Sequence, residues 1–543
     1  MLGSMMDKPL NIADILEYAA QYLPDAEIIT RQVEGGIHRY GYADSLARTK
    51  QLANALQALG VQQGDRIGTL AWNTYRHFEI YYAVSGMGAV THTINPRLFA
   101  EQIVYIINHA EDTFLFVDLS FVPILEAIKN EIPTVKGIVV MSDAQHMPEH
   151  SLPNVHCYED LIAAYNSEFQ WPSFDENTAA CLCYTSGTTG NPKGVMYSHR
   201  STVLHALSAC RGSALNLGPM SRVLPVVPMF HVCAWGIPYC APIAGATIIF
   251  PGAGMDGESL YELIDQESAT ALLGVPTVWL GLLTHIESVG GHLDSVENVV
   301  IGGSAAPRSM MEKFQDTYDV FPIHAWGMTE LSPMGSLCAQ TPFLKSASKD
   351  ERAKVQAKQG RPVFGVEMKI VDDDDNALPH DGETYGKLMV RGPWVASAYY
   401  KNEDDSAFRD GWFDTGDVST IDANGYMQIV DRSKDVIKSG GEWISSIELE
   451  NAAVGYECVA EACVVGVAHP KWDERPLLLI VCKAGTQCTK DDIIDYLSDK
   501  VAKWWLPNDV VFVNELPHTA TGKLLKSEVR KQYESHYFTS QSA

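Results

Sequence analysis

Basic residues are scarce in this chain: 40 Lys and Arg stand against 67 Asp and Glu, a formal net charge of -27. A field of that sign repels phosphate backbones, which excludes nucleic acid as a general partner. An anionic substrate then needs a local positive site working against the overall charge. Cysteine pairs at ligand spacing are also lacking. The 11 cysteines are odd in number and scattered from Cys157 to Cys488; Cys181 and Cys183 have one residue between them, and no second pair sits at zinc-finger spacing. Reduced, mostly buried thiols are expected. No uninterrupted apolar run of membrane-spanning length is present. Val223 to Phe250 contains no Asp, Glu, Lys or Arg, yet Pro225, Pro228, Pro238 and Pro242 interrupt it. That segment reads as buried strands and loops lining a pocket. Met1 to Met6 has no secretory character, and Gln541-Ser542-Ala543 is not the peroxisomal Ser-Lys-Leu address, so a cytoplasmic location is expected. Internal repeats and low-complexity tracts are absent.

What remains is an ordinary globular composition on a chain of 543 residues, long enough for two or more domains. Helical and strand patterns alternate over the first 170 residues or so. Asp44 to Leu59 has helical spacing and stops at Gly60, Asp65 to Leu70 reads as a strand, and a helix starts at Tyr75 and ends near Gly86-Met87-Gly88. Such repetition predicts α/β layers with mainly parallel strands. After about residue 360 short strands and tight turns take over, including Gly386 to Val390 and Gly425 to Val430. The four aspartates within Val371 to Ala377 read as solvated turn residues rather than a metal site. A boundary near Asp431 to Lys434 precedes a compact α+β unit. In it, Ser445 and Glu448 form a capping-box pattern, Val459 to Val467 and Pro476 to Val481 read as strands, and Thr489 to Val501 as an amphipathic helix. The expected class is therefore α/β: a large domain over residues 1–431, of layered α/β subdomains plus a small sheet or barrel, and a small α+β domain over 432–543.

The strongest local signal is Tyr184-Thr185-Ser186-Gly187-Thr188-Thr189-Gly190-Asn191-Pro192-Lys193-Gly194, between a strand-like Thr178 to Cys183 and a helical run from about Ser198. Glycines let successive N–H groups face one anion, the hydroxyls add donors, and Lys193 supplies a compact positive charge. It is not a Walker A loop, because Pro192 stands where the second glycine belongs.

As a whole this segment resembles the phosphate-binding signature of the adenylate-forming superfamily, which includes acyl-CoA synthetases, firefly-type luciferases and the adenylation domains of peptide synthetases. Further matches follow in family order: Gly302-Gly303-Ser304-Ala305-Ala306-Pro307, His324-Ala325-Trp326-Gly327-Met328-Thr329-Glu330, Gly360-Arg361-Pro362, Trp412 to Asp417, Asp431 to Asp435, and Pro517 to Lys523. The resemblance implies ATP, Mg²⁺ and coenzyme A as cofactors and a small carboxylic acid as substrate. It assigns Thr185 to Gly190 and Lys193 to phosphate. Gly303, Ser304, Ala305, Ala306 and the Trp326-Gly327-Met328 segment go to adenine; most relatives carry Tyr where Trp326 stands. Asp417 and Arg432 go to ribose, Thr329 to the α-phosphate, Glu330 to the metal ion. Lys523 would stabilise the transition state of adenylation. The family rotates its small C-terminal domain about one hinge residue, here Lys434. That motion would bring Gly440-Gly441-Glu442-Trp443 to the coenzyme A side.

Phe230-His231-Val232-Cys233-Ala234-Trp235 resembles the acyl-pocket segment. Peptide-synthetase domains generally place an aspartate there to pair an amino group, and none is present, so an amino-acid substrate is disfavoured. His231 is read as a pocket gate or a core histidine, Trp235 as a limit on chain length or a core tryptophan. The string most resembles the short- and medium-chain branch of acyl-CoA synthetases, whose acids include butyrate, hexanoate and the thioether acid 3-methylmercaptopropionate. Delivery to a carrier protein and luciferase-like oxygenation share the adenylation half and stand as alternatives. A homodimer is the default expectation.

Overall fold

The structure, a computed structural model, describes residues 3–185, 191–402, 406–439, 442–483, 485–518 and 524–539. Among them the strands form four sheets.

The first sheet has seven strands, running in space Val155–Cys157, Gly137–Val140, Asp112–Val117, Arg66–Leu70, Val90–Thr93, Ala179–Tyr184 and Gly194–Ser198. All pair in parallel except the last, which returns antiparallel to Ala179–Tyr184. The second has nine strands, and its six central ones are parallel: Phe321–Gly327, Asn298–Ile301, Ala271–Gly274, Arg222–Pro225, Thr247–Phe250 and Glu27–Arg31. Helices cover both faces, so strand residues such as Leu115, Phe116 and Val117 are wholly buried. This is why the strands read as continuous apolar runs rather than alternating ones. Helix starts follow local chemistry: Thr74 accepts from the His77 N–H at 3.3 Å and Ser198 from that of Ser201 at 3.0 Å.

The third sheet is antiparallel and carries Glu367–Val371, Tyr385–Arg391, Trp412–Ile421 and Met427–Arg432. The aspartate run makes the turn expected of it, with Asn376 donating to Asp372 at 2.9 Å through its N–H. The strand expected from Gly425 begins at Met427, because Gly425, at φ 82°, still belongs to the turn. The C-terminal unit forms the fourth sheet around the hairpin Val459–His469 and Asp473–Cys482, with a core of its own that includes Leu449, Val464, Leu478, Ile480 and Leu497. Ser445 caps its first helix, accepting from the Glu448 N–H at 3.1 Å.

The segment 223–250 departs from expectation. Its ends are strands, but between them lie a turn, Val232–Trp235, and a helix, Ile237–Ala244, with Pro242 inside. The four turn residues have φ between 49° and 57°, a left-handed run that non-glycine side chains resist at ~1–2 kcal/mol each. Sequence periodicity gives no sign of such a conformation. All 11 cysteines are free. Among the described residues, no helix is long and apolar enough to cross a membrane.

Candidate active site

In open α/β sheets, ligands gather beyond the carboxyl ends of parallel strands, where loops diverge and backbone groups are left unpaired. Three such ends meet here. Thr185 follows Ala179–Tyr184, Gly302 to Ala305 follow Asn298–Ile301, and Met328 to Glu330 follow Phe321–Gly327. They border one cavity of about 1230 Å³, closed on its far side by the C-terminal unit through Glu450, Glu461, His518 and Leu524.

The Thr329–Glu330 turn is buried and held from several directions. The Tyr197 hydroxyl donates to the Thr329 carbonyl at 2.6 Å, and the Ala396 N–H donates to that of Glu330 at 2.7 Å. Tyr399 donates its hydroxyl to the Glu330 carboxylate at 2.7 Å, and its ring lies 4.7 Å from the Lys193 ammonium. Tyr399 thus ties Lys193 to Glu330. No motif spacing marks it; only the fold brings it there.

Trp326 is 7 % exposed and forms part of the cavity wall. Its six-membered ring lies on Gly335, where an added Cβ would come to 2.3 Å of it, so only glycine leaves room for so large a ring. Its indole N–H donates to one Asp417 oxygen at 3.0 Å. The other oxygen takes the Arg432 guanidinium at 2.9 Å, a consequence of register, since Asp417 and Arg432 are directly opposed across two antiparallel strands. Asp417 therefore sits just behind the cavity surface while Arg432 lines it. Beneath the Gly302 to Ala306 loop, His324 accepts from the Ala306 N–H at 3.4 Å. Burial pushes the pKa of His324 down to about 4, which keeps it a neutral acceptor.

On the apolar side, Trp235 packs against Gly302, where a Cβ would come to 3.0 Å of its ring. His231, Val232, Leu273 and Val300 continue this wall, which carries no acidic or cationic group of the 223–250 segment. The arrangement offers hard oxygen donors and hydroxyls for a phosphorylated ligand next to a charge-free recess for a small apolar one.

The AMP-binding enzyme family matches residues 16–400, and the AMP-binding enzyme C-terminal domain matches residues 448–523. This chain is an AMP-binding enzyme. It is 50 % identical to a 3-methylmercaptopropionyl-CoA ligase of Ruegeria lacuscaerulensis, over 98 % of this chain and 99 % of the relative. It is 48 % identical to a medium-chain-fatty-acid–CoA ligase of Ectopseudomonas oleovorans, over 98 % of each. Among solved structures it superposes on the anthranilate CoA ligase AuaEII in complex with anthranoyl-AMP. The TM-score is 0.86 at 26 % identity, covering 97 % of this chain and 98 % of that one.

Of the described residues singled out in the sequence of this AMP-binding enzyme, the fold gathers most at the cavity wall: Thr185, His231 and Trp235; Gly303, Ser304 and Ala305; Trp326 through Glu330; Arg432 and Lys434. Ala306 and Asp417 lie just beneath it, and Lys193 reaches it through Tyr399. Ser186, Gly187, Thr188, Thr189, Gly190, Gly440, Gly441 and Lys523 lie outside the described residues. Glu442 and Trp443 begin a short strand, Glu442–Ile444.

Proposed function

We propose that this AMP-binding enzyme is an ATP-dependent acid–CoA ligase acting on a small apolar carboxylic acid, 3-methylmercaptopropionate or a short- to medium-chain fatty acid. The observation that carries this reading is the single cavity in which the Thr329–Glu330 turn stands beside a charge-free wall formed by Val232, Trp235, Leu273 and Val300. The acid's carboxylate attacks the α-phosphorus of ATP and pyrophosphate leaves. The thiol of coenzyme A then attacks the acyl carbonyl and AMP leaves.

The roles are those the family resemblance implies, and each suits the residue's chemistry. The loop Thr185 to Gly190, with Lys193, binds the phosphates. Trp326 and the Gly303 to Ala306 backbone flank the adenine, while Asp417 and Arg432 meet the ribose. Thr329 bonds the α-phosphate, and Lys523 offsets the charge that accumulates when two anions react. Glu330 fits a Mg²⁺ site, being a hard carboxylate at the cavity beside Thr329; Mg²⁺ uses one or two carboxylates with substrate phosphates and, when bound, neutralises phosphate charge. His518 and Leu524, the described residues on either side of Lys523, border the cavity, which fits an adenylating arrangement of the two domains. We place the domain boundary at 431/432 and the hinge at Lys434, with Gly440 to Trp443 on the coenzyme A side after rotation. A cytoplasmic location suits these substrates.

Incubation with ATP, Mg²⁺, coenzyme A and a panel of acids tests this, with AMP and thioester quantified. The panel runs from acetate to decanoate and includes 3-methylmercaptopropionate, a cinnamate and amino acids. AMP and acyl-CoA forming together, best with small apolar acids, is the expected result. AMP without thioester would assign delivery to a protein carrier, and no AMP with any acid would overturn the proposal.

A further inference from the structure

Cys181 and Cys183 stand two apart on the strand Ala179–Tyr184, so their side chains leave the same face of the sheet. The left-handed turn Val232–Trp235 brings a third sulfur to them, from 50 residues further along the chain. The Sγ of Cys233 lies 3.2 Å from that of Cys181 and 3.7 Å from that of Cys183, and the first two sulfurs are 3.8 Å apart. All three residues are at most 3 % exposed. The Thr93 hydroxyl stands 3.2 Å from the Cys183 sulfur, adding one oxygen to the cluster.

These distances have a chemical meaning. Sulfurs bound to one tetrahedral Zn²⁺ at about 2.3 Å are spaced about 3.8 Å apart. An ion roughly 1 Å out of the plane of this smaller triangle would lie about 2.3 Å from each sulfur. Three reduced thiols can also pack as small hydrophobes. That packing, however, gives no reason for the third to be delivered by four consecutive residues in a conformation that non-glycine side chains disfavour. Among the described residues this is the one group of three or more Cys, His, Asp or Glu whose ligand atoms all come within metal-binding distance of one another.

We infer that Cys181, Cys183 and Cys233 form a buried thiolate site for one soft, thiophilic divalent cation of the zinc class. Soft sulfur donors select such ions over Mg²⁺, which the oxygen donors at Glu330 suit. Binding displaces thiol protons to solvent and forms three metal–sulfur bonds, with no change of oxidation state. The ion would pin the strand that leads into Thr185 to the turn that carries His231 and Trp235. Both the phosphate loop and the acyl wall would then be anchored to one point in the core.

The full-length protein, stripped under reducing conditions with a strong chelator, is titrated with Co²⁺ as an optical probe. One Co²⁺ per chain is expected, with thiolate-to-metal charge-transfer absorption that Zn²⁺ abolishes by displacement. The signal should vanish in the triple variant Cys181→Ser, Cys183→Ser, Cys233→Ser. It should survive in Cys482→Ser, Cys488→Ser, which removes the other close thiol pair. X-ray absorption at the zinc edge on the unaltered chain needs no variant to fold, and should give a sulfur shell at about 2.3 Å. Cobalt uptake no greater than in the triple variant, or a shell of nitrogen and oxygen alone, overturns the inference. A Cys181–Cys233 disulfide found by mass spectrometry in the protein as isolated would overturn it as well.

Discussion

The indole N–H of Trp326 donates to a carboxylate oxygen of Asp417 at 3.0 Å, from a residue 91 positions earlier in the chain. With Arg432 on the other oxygen, the carboxylate is fixed on both sides, and its plane is set before any nucleotide arrives. The indole thereby supplies a donor aimed at the group proposed to meet the ribose.

Trp326→Phe keeps an aromatic face on the cavity but removes that donor. A buried charged acceptor that loses its partner costs about 1–3 kcal/mol, so the KM for ATP should rise by about fivefold to 150-fold while kcat changes less. Steady-state kinetics with ATP varied at saturating acid and coenzyme A decide it. An unchanged KM for ATP would show that Asp417 does not depend on Trp326.

Tyr399→Phe deletes the hydroxyl that orients Glu330 and leaves the ring beside Lys193 in place. One hydrogen bond to a charged group contributes about 1.5–3 kcal/mol. The Mg²⁺ concentration giving half-maximal adenylation should therefore increase about tenfold or more, and excess Mg²⁺ should restore much of the rate. A loss that no Mg²⁺ concentration relieves would assign Tyr399 a different role.

The two half-reactions should separate by mutation. Lys523→Ala is expected to lower adenylation by about 10²–10³ while leaving thioester formation from supplied acyl-adenylate intact. Lys434→Pro fixes φ at the proposed hinge and should do the reverse, sparing pyrophosphate release and blocking thioester formation. Equal loss of both steps in either folded variant would remove the case for domain rotation about Lys434.

Acid should destabilise the fold between about pH 6.5 and 4. Burial pushes His77, His199, His205 and His324 each down to about 4, so across this interval the unfolded chain binds protons that the native one does not. Their stabilisation is present above the unfolded histidine pKa near 6.5 and is lost as pH falls through the folded value. Asp118, pushed up to about 7 by burial, acts in the opposite sense, as do Asp112, Asp431, Glu448 and Glu450, whose carboxyls burial also raises, so a histidine variant is needed to isolate the imidazole contribution. Thermal melting followed against pH should show Tm falling over this range, and less steeply in His324→Gln. A pH dependence of Tm that His324→Gln leaves unchanged would contradict the assignment of a neutral buried imidazole there.

Much of the site was legible in one dimension because its parts are short and local. A glycine- and hydroxyl-rich loop after a strand and Thr329-Glu330 at the end of another are runs whose chemistry resides in a few adjacent residues. Helix caps such as Ser198 and Ser445 are equally local, since a hydroxyl reaches only the first turn that follows it. The charge-free stretch from Val223 to Phe250 foretold an apolar wall, because a buried cation or carboxylate would be too costly without a partner.

Other features exist only through pairings at long range. Tyr399 belongs to no motif, and its contact with Glu330 depends on how the third sheet packs against the second. The left-handed turn that presents Trp235 runs against local backbone preference, so no propensity could announce it; the packing around it must override that preference. The three-thiol cluster joins residues 50 apart. Composition and local order thus determined the layers and the order of the loops that border the cavity. Tertiary packing decided which side chains meet across those loops, because a hydrogen bond or a metal–sulfur bond depends on distances that sequence separation does not set.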